Sequence, residues 1–443
     1  MKISVLLALA GPLLAQDPLP LREAVGLALR ENKAIAAANA GLRASAARID
    51  EARAGRLPKL NYSESFTRSD NPVFVFSSLL TQHQFGTENF NIGPLNRPDA
   101  LNNFQSLVTV DQPLYDAGQT SNAVRAASLL SLMTGEERRG TQMQVIAAVV
   151  RAYYGAVLAS ESLKTAEQGV RSAEADLQRA ESVRVAGMST DVDVLSIRVH
   201  LAAVTEQRIQ RAADLDVAKS ALNDALGLPL DSSHLLTTPL SPMDLPDMAL
   251  MPLEKDASTA RPEARQVGMA ASLAKARQNA SRGALLPQVG FHAALEADRQ
   301  QFIERGGANW LASVALRWNL FNGWGDKARI EESNQSLARA HDDEQRVASA
   351  VRLEVRRAWA DLRAARQRIE VAKAAVAEAA ESLRITQNRY EAGMSNVTDL
   401  LRNETAVLES QTRYLTAVHD QRIAATMLDL SAGRLSPDSE VLK

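Results

Sequence analysis

Trp310-Leu311-Ala312-Ser313-Val314-Ala315-Leu316-Arg317-Trp318-Asn319-Leu320 alternates without a break. The even-numbered residues are all apolar, with a Trp near each end, and the odd-numbered ones are mostly polar. A period of two is that of a strand with two unlike faces. A half-buried soluble strand explains the alternation but not a Trp at both ends; a barrel strand facing lipid explains both. The Trp pair is separated by about 26 Å of strand at 3.3 Å per residue, close to the apolar band of an outer-membrane barrel. Val289, Phe291, Ala293 and Leu295 alternate likewise. Phe104, Val108, Val110 and Leu114 do so less cleanly, and Leu60, Tyr62 and Phe66 are interrupted by Glu64. That gives four strands. Four strands do not close a barrel, and an open edge does not survive in lipid, so this reading requires oligomerisation. Two chains would give eight strands with a nearly filled interior, and three would give twelve with a channel.

The strands belong to a duplication. Ala186-Gly187-Met188-Ser189 recurs as Ala392-Gly393-Met394-Ser395, a shift of 206. The same shift maps Leu114 onto Leu320, Arg151 onto Arg357, Asp193 onto Asp399, Leu195 onto Leu401 and Gly227 onto Gly433. Leu57-Pro58 maps onto Leu286-Pro287 at a shift of 229, so the first copy holds 23 extra residues between Pro58 and Pro113. A repeat this long is a duplicated domain rather than a short solenoid unit. The expected organisation is a first repeat over 16–227, a connecting segment over 228–260 with little regular structure, a second repeat over 261–433 and a tail over 434–443. Each repeat reads helix, strand, strand, long helix, short helix, with hairpins at about 59–116 and 287–322. In the first copy the opening helix is expected over 19–56, and an irregular region precedes Pro113.

The long helices carry heptads. Val355, Leu362, Ile369, Val376, Leu383 and Tyr390 are seven apart, with Ala358, Ala365, Ala372, Ala379 and Thr386 between them. In the first copy the large series is Val149, Ala156, Leu163, Val170 and Leu177, and the small one is Ala152, Ala159, Ala166, Ala173 and Ala180. Five sustained heptads specify a coiled coil, and Ala on half of the seam lets the helices approach closely. A 68-residue helix is about 100 Å long at 1.5 Å per residue, so two half-length helices end to end match one long one. The helices alone fit a solid stalk and a hollow assembly equally.

Composition narrows the chemistry. The 443 residues carry a net charge of −2 and no Cys. Disulfides, thiolate metal sites and cysteine nucleophiles are excluded, and bulk charge points to no nucleic acid. Lys2, the apolar run Ile3 to Leu14 and small Ala15 read as a secretory signal over 1–15. Past it there is no run of about 18 uncharged apolar residues. His83, His200, His234, His292, His341 and His419 show no metal-ligand spacing, and no phosphate loop or nucleophile–base–oxyanion set is present. No cofactor is expected.

At this point the chain resembles the TolC family of outer-membrane efflux proteins. The resemblance rests on Leu21-Arg22-Glu23-Ala24, on Leu-Pro before each first strand, and on Pro113-Leu114-Tyr115-Asp116 and Asn319-Leu320-Phe321-Asn322-Gly323. It rests also on Arg389-Tyr390-Glu391-Ala392-Gly393 followed by Asp399-Leu400-Leu401. It implies a mainly α fold with a small β part, in which long antiparallel coiled-coil helices form a periplasmic tunnel. Four strands per chain would contribute to a twelve-stranded trimeric transmembrane barrel in the cell outer membrane of a Gram-negative bacterium. It implies a homotrimer in outer-membrane lipid, docked to a periplasmic adaptor and an inner-membrane pump. Tyr390 and Asp193 match gate residues, and Asp399 matches the first acidic position of the constriction; Arg402 stands where the second would be and Ser395 where the family has arginine. Arg184, Gly187, Met188, Ser189, Arg389, Gly393 and Met394 would form adaptor-docking tips, and Trp310 and Trp318 the lipid-facing girdle. Read as chemistry alone, Asp193 and Asp399 also suit helix starts, and Gly187 and Gly393 suit left-handed helix ends. The implied function is a passive efflux duct. A duct for type I protein secretion would have nearly the same sequence, and the reading from another class is a non-porous coiled-coil tether or adaptor.

Overall fold

The computed structural model describes residues 18–185, 190–244, 246 and 248–442. The expected signal 1–15 and the tip residues Gly187, Met188 and Ser189 lie outside them. The chain divides into two compact units: one comprises residues 1–41, 135–266 and 345–443, the other 42–134 and 267–344.

The second unit is built on a sheet. Strands β2 (Lys59–Ser69), β3 (Leu101–Tyr115), β5 (Gln288–Arg299) and β6 (Gly307–Arg317) lie in the order β2-β3-β5-β6, all neighbours antiparallel. Trp310 lies in β6, and Trp318 follows its last residue. Register decides the faces. Tyr62 pairs with Val108, Val108 with Leu295 and Leu295 with Trp310, so these four stand on one side. Ser65, Gln105 and Asp298 stand on the other. The expected strand at Leu60, Tyr62 and Phe66 is β2, and the irregular region before Pro113 also holds helix α3 (Pro72–Thr81) and the short helix α4 (Ile92–Asn96). Asn71 starts α3 by accepting from the backbone of Val73 and Phe74, and Pro72 is pre-set for the first turn.

In the first unit α1 (Leu21–Glu31) is followed after a one-residue break by α2 (Lys33–Ala54), which corrects the single helix expected over 19–56. Asn32 takes an extended ψ of 128°, and its side chain donates to Ala225 O. The break makes room for a neighbour: a Cβ on left-handed Gly227, which ends α6 (Asp191–Leu226), would lie 2.8 Å from Asn32 Cα. The second copy repeats the joint. Arg261 breaks α7 (Leu250–Ala260) from α8 (Pro262–Gly283), and a Cβ on left-handed Gly433 would lie 2.8 Å from the backbone of Ala260 and Arg261. The connecting segment thus contains a helix and the short strand β4 (Leu235–Leu236), parallel to β1 (Pro18–Leu19), where little regular structure was expected.

Helices α5 (Gln119–Val185) and α9 (Gly325–Glu391) are each 67 residues long, and α10 spans Val397–Ser431. Part of each heptad seam is buried: Leu163, Val170, Val376 and Leu383 are half-buried, whereas Val149, Ala156, Val355 and Leu362 are at most 4% exposed. Ala166, Ala173 and Ala180 are buried with them, and Gly169 lies close against Leu408 of α10. The main core adds Leu21, Val25, Ile146, Val150, Tyr153, Tyr154 and Leu428. Full burial of one such side chain contributes about 1.5–3 kcal/mol. α5 includes a stretch apolar enough to span a bilayer by composition, and more than half of it is buried in the protein.

Candidate functional site

Two helical hairpins, α5–α6 and α9–α10, carry the predicted gate and tip residues. Each begins its second helix with a side-chain cap. Thr190 caps α6: its Oγ1 accepts from Asp193 N at 3.3 Å, while Asp193 Oδ2 accepts from Thr190 N at 3.1 Å and from Thr190 Oγ1 at 2.9 Å. Asn396 caps α10 by accepting from Asp399 N at 2.8 Å. The first hairpin's Arg184 pairs with Asp191 at 2.9 Å. The end of α9 is closed by Gly393 at φ 72°, with Gly393 N donating to Tyr390 O and Met394 N to Arg389 O. That double bond pattern is the Schellman motif, which needs a left-handed residue at the glycine. A Cβ on Gly393 would meet nothing within 4 Å, and Met394 is exposed.

Tyr390 packs against the small core of Ala180, Val194, Ile197 and Val397. Burial raises its phenol pKa above the ordinary value, and the charges of Asp193 and Asp176 add to the rise. Tyr390 thus lies within electrostatic reach of Asp193, whose neighbour Val194 packs with it in this small core. Asp399 and Arg402 form an exposed pair at 3.9 Å on the first turns of α10, so the basic residue partly offsets the acidic one beside it. Ser395 is half-buried in the turn.

A second polar cluster lies close by, and sequence reasoning missed it. Asp176 of α5 is 4% exposed and Glu404 of α10 is 6% exposed. His200 Nε2 of α6 lies 3.4 Å from Glu404 Oε2. Arg179 is 3.2 Å from Asp176 and 3.4 Å from Glu391 of α9. Burial pushes the Asp176 carboxyl up to about 8, with Glu404 adding to the rise as hydrogen-bond partner and like charge. Burial also opposes charge on Glu404, but its hydrogen bonds to His200 and Asp176 outweigh that and lower its pKa. The proton therefore resides on Asp176. Asp176 Oδ2 and Glu404 Oε2 are both shut off from solvent; Oδ2 has no donor and Oε2 has only His200 Nε2 at 3.4 Å, so a proton between the two carboxyls serves both. Carboxylates on long helices usually face solvent, so spacing alone hid this pair. The available signal was position: Asp176 directly precedes the seam residue Leu177.

The sheet is the other functional surface. Leu60, Tyr62, Phe66, Leu295, Trp310, Val314 and Leu316 are all more than half exposed on one face. Trp318 is 55% exposed, and its indole donates to Leu285 O. Glu64, the interruption in β2, is matched on that face: Arg299 donates to its carboxylate at 2.8 Å and to Ser106 Oγ at 2.7 Å. Beyond the strands, Phe76, Phe85 and Phe90 form edge-on ring pairs at 4.8 and 5.2 Å. Gln82, 2% exposed, anchors this loop by donating to Asn102 O and Asn103 Oδ1. Among the described residues no His, Asp and Glu group could hold a metal ion.

Known proteins share this architecture. The family described as outer membrane efflux protein matches residues 24–228 and 255–434. Protein CyaE of Bordetella pertussis is 28% identical over 428 residues, 95% of this chain and 85% of that protein. The alkaline protease secretion protein AprF of Pseudomonas aeruginosa is 22% identical over 86% of this chain and 78% of its own length. The crystal structure of the Campylobacter jejuni CmeC outer membrane channel superimposes with a TM-score of 0.79 at 15% identity, covering 95% of this chain and 87% of that one. With that family model matching most of the chain, the chain belongs to the outer membrane efflux proteins and is a channel protein of the outer membrane.

Proposed function

We propose that three copies of this chain form a passive duct, with the sheets joined into a twelve-stranded barrel and the hairpins forming a tunnel that meets an adaptor and an inner-membrane pump. The observation that carries this reading is the sheet. One face of it is mainly apolar and exposed, broken by the paired Glu64–Ser106–Arg299 group, and its edge strands β2 and β6 have no neighbour among the described residues. Each edge needs a strand from another copy to satisfy its backbone in lipid. Trp310 and Trp318 are then the girdle. Residues 1–15 are the export signal, 16–227 and 261–433 the two repeats, 228–260 the equatorial connection and 434–443 the tail. Tyr390, Asp193, Asp399, Arg402 and Ser395 line the entrance, and Arg184, Gly187, Met188, Ser189, Arg389, Gly393 and Met394 dock the adaptor.

The cargo of the efflux reading is small molecules. The name of AprF favours protein secretion as the second reading. Deleting the gene and measuring both drug susceptibility and secreted proteins separates them. Sensitisation with an unchanged secretome supports efflux, while a lost secreted protein with unchanged susceptibility supports secretion. A heat-modifiable trimer absent from the outer-membrane fraction would remove the duct itself and leave the tether.

A further inference from the structure

We propose that Asp176, Glu404 and His200 form a proton-operated latch between the two helical hairpins of each chain, closed while the carboxyls share a proton and weakened when that proton leaves. The latch joins α5 and α6 on one side to α10 on the other, so it is broken only by moving one hairpin against its neighbour. It rests on the reading of the hairpin ends as the channel entrance only for its consequence, not for its existence.

The charges facing the pair come from all four helices. Arg179 stands beside Asp176 on α5, His200 on α6, the Tyr390 hydroxyl and Glu391 on α9, and Glu404 itself on α10. The nearest cation to Asp176, Arg179, is already shared with Glu391. A second buried anion at Asp176 would therefore face Glu404 with half a guanidinium for compensation, in a site where unpaired charge is costly. Loss of the shared proton also leaves buried Asp176 Oδ2 without a donor, and Glu404 Oε2 with only His200 Nε2 at 3.4 Å.

The direction with pH follows. The folded-state value of Asp176 is raised, so its contribution to holding the hairpins is complete below the ordinary carboxylate value of 3.8 and is lost as pH rises through about 8. Glu404 is depressed, so its contribution fails in the opposite direction, as pH falls through the acid range. His200 Nε2 stands 3.4 Å from Glu404 Oε2 and ties α6 to the pair. From neutral to mildly alkaline pH the Asp176 effect dominates, and alkalinity loosens the latch.

The chain has no native cysteine, which makes the test clean. Ala180 is 1% exposed and packs with Val194, Ile197 and Val397, whereas Ser182 on the same helix is exposed. Full-length Ala180→Cys and Ser182→Cys proteins in outer-membrane vesicles are labelled with a maleimide from pH 6 to 9, and the ratio of the two rates removes the thiol's own titration. The ratio should rise about fivefold across that range, the equivalent of a population shift near 1 kcal/mol. It should stay flat in an Asp176→Asn or a Glu404→Gln background, since each amide supplies a permanent donor. A flat ratio in the wild-type background overturns the latch, as does an equal rise in both amide backgrounds. Failure of both amide variants to assemble would overturn it as well, because the neutral form is the one held to be stable. Conductance over the same range reads the entrance separately: labelling that rises with constant conductance keeps the latch and removes its role at the entrance.

Discussion

The two hairpins correspond in sequence at a shift of 206, yet they place their polar residues differently. At the shift of 206, Asp176 corresponds to Ser382 and Ile197 to Asn403. In the second hairpin Ser382 Oγ donates to Asn403 Oδ1 at 2.8 Å, and Asn403 Nδ2 donates to Thr386 Oγ1 at 3.1 Å, so the polar groups close on one another across α9 and α10. In the first, Ile197 is fully buried among apolar residues, and Asp176 engages α10 of the other hairpin instead. What duplication kept is equally informative. Thr190 and Asn396 both cap, Asp193 and Asp399 both stand three residues on, and Gly227 and Gly433 both end a helix against a broken one. Backbone geometry tolerates few residue types at such points, whereas a polar contact can be redirected by one substitution.

The largest effects are therefore expected at the shared joints. Gly227→Ala and Gly433→Ala each impose a left-handed Cβ, about 1–2 kcal/mol, and drive it into a neighbouring backbone, about 1–3 kcal/mol more. Gly393→Ala has only the first cost, because space around Gly393 is open. The amount of heat-modifiable oligomer in outer-membrane fractions should fall steeply for the two joint variants and little for Gly393→Ala. Equal losses at all three positions would mean that conformation alone, and not the contact with Asn32 or Arg261, fixes the joint.

The middle-sized effect probes the polar layer within the second hairpin. Asn403→Ile copies the first hairpin's residue, and Ser382→Ala removes its partner. Each should destabilise by about 1 kcal/mol, and the double variant should cost less than the sum, because the residues share one bond. Thermal melting of the detergent-solubilised protein measures all three. Strict additivity would show that Ser382 and Asn403 act independently.

Such differences mark the boundary of what sequence could reveal. The alternation from Trp310 to Leu320 and the heptads from Val355 to Tyr390 report faces directly, because a strand or helix repeats its environment at a fixed period. Breaks such as Asn32 and Arg261 carry no periodic signal, since each is set by the close approach of a glycine far away in the chain. The helix α7 lay inside a Pro-rich stretch that masked it. Glu64 looked like a defect in a strand until Arg299 was placed across Ser106 to meet it. Asp176 and Glu404 belong to the same class: each reads as a solvated charge on its own helix, and only tertiary packing makes them a buried pair.

The smallest effect is expected at Tyr390, and it tests whether the tip or the pair of carboxyls above it dominates. Tyr390 ends the α9 seam, and the Asp193 and Asp176 charges both bear on its hydroxyl. Asp193 is already engaged as a helix cap, receiving the Thr190 backbone and hydroxyl. A hydroxyl that competes for an occupied carboxylate contributes less than an exclusive bond, so Tyr390→Phe should weaken the closed form by about 0.5–1 kcal/mol per chain. Packing is kept, because the ring stays in the core of Ala180, Val194 and Val397. Asp193→Ala removes the cap as well and should cost about 1 kcal/mol more. In planar bilayers the Tyr390→Phe channel should conduct slightly more than wild type, and Asp193→Ala more again. The double variant should match Asp193→Ala if the tyrosine acts through that carboxylate. Equal conductance for all of them would place closure at the Ala seam and the Asp176–Glu404 pair, and an Asp176→Asn channel would then be the one that stays shut at alkaline pH.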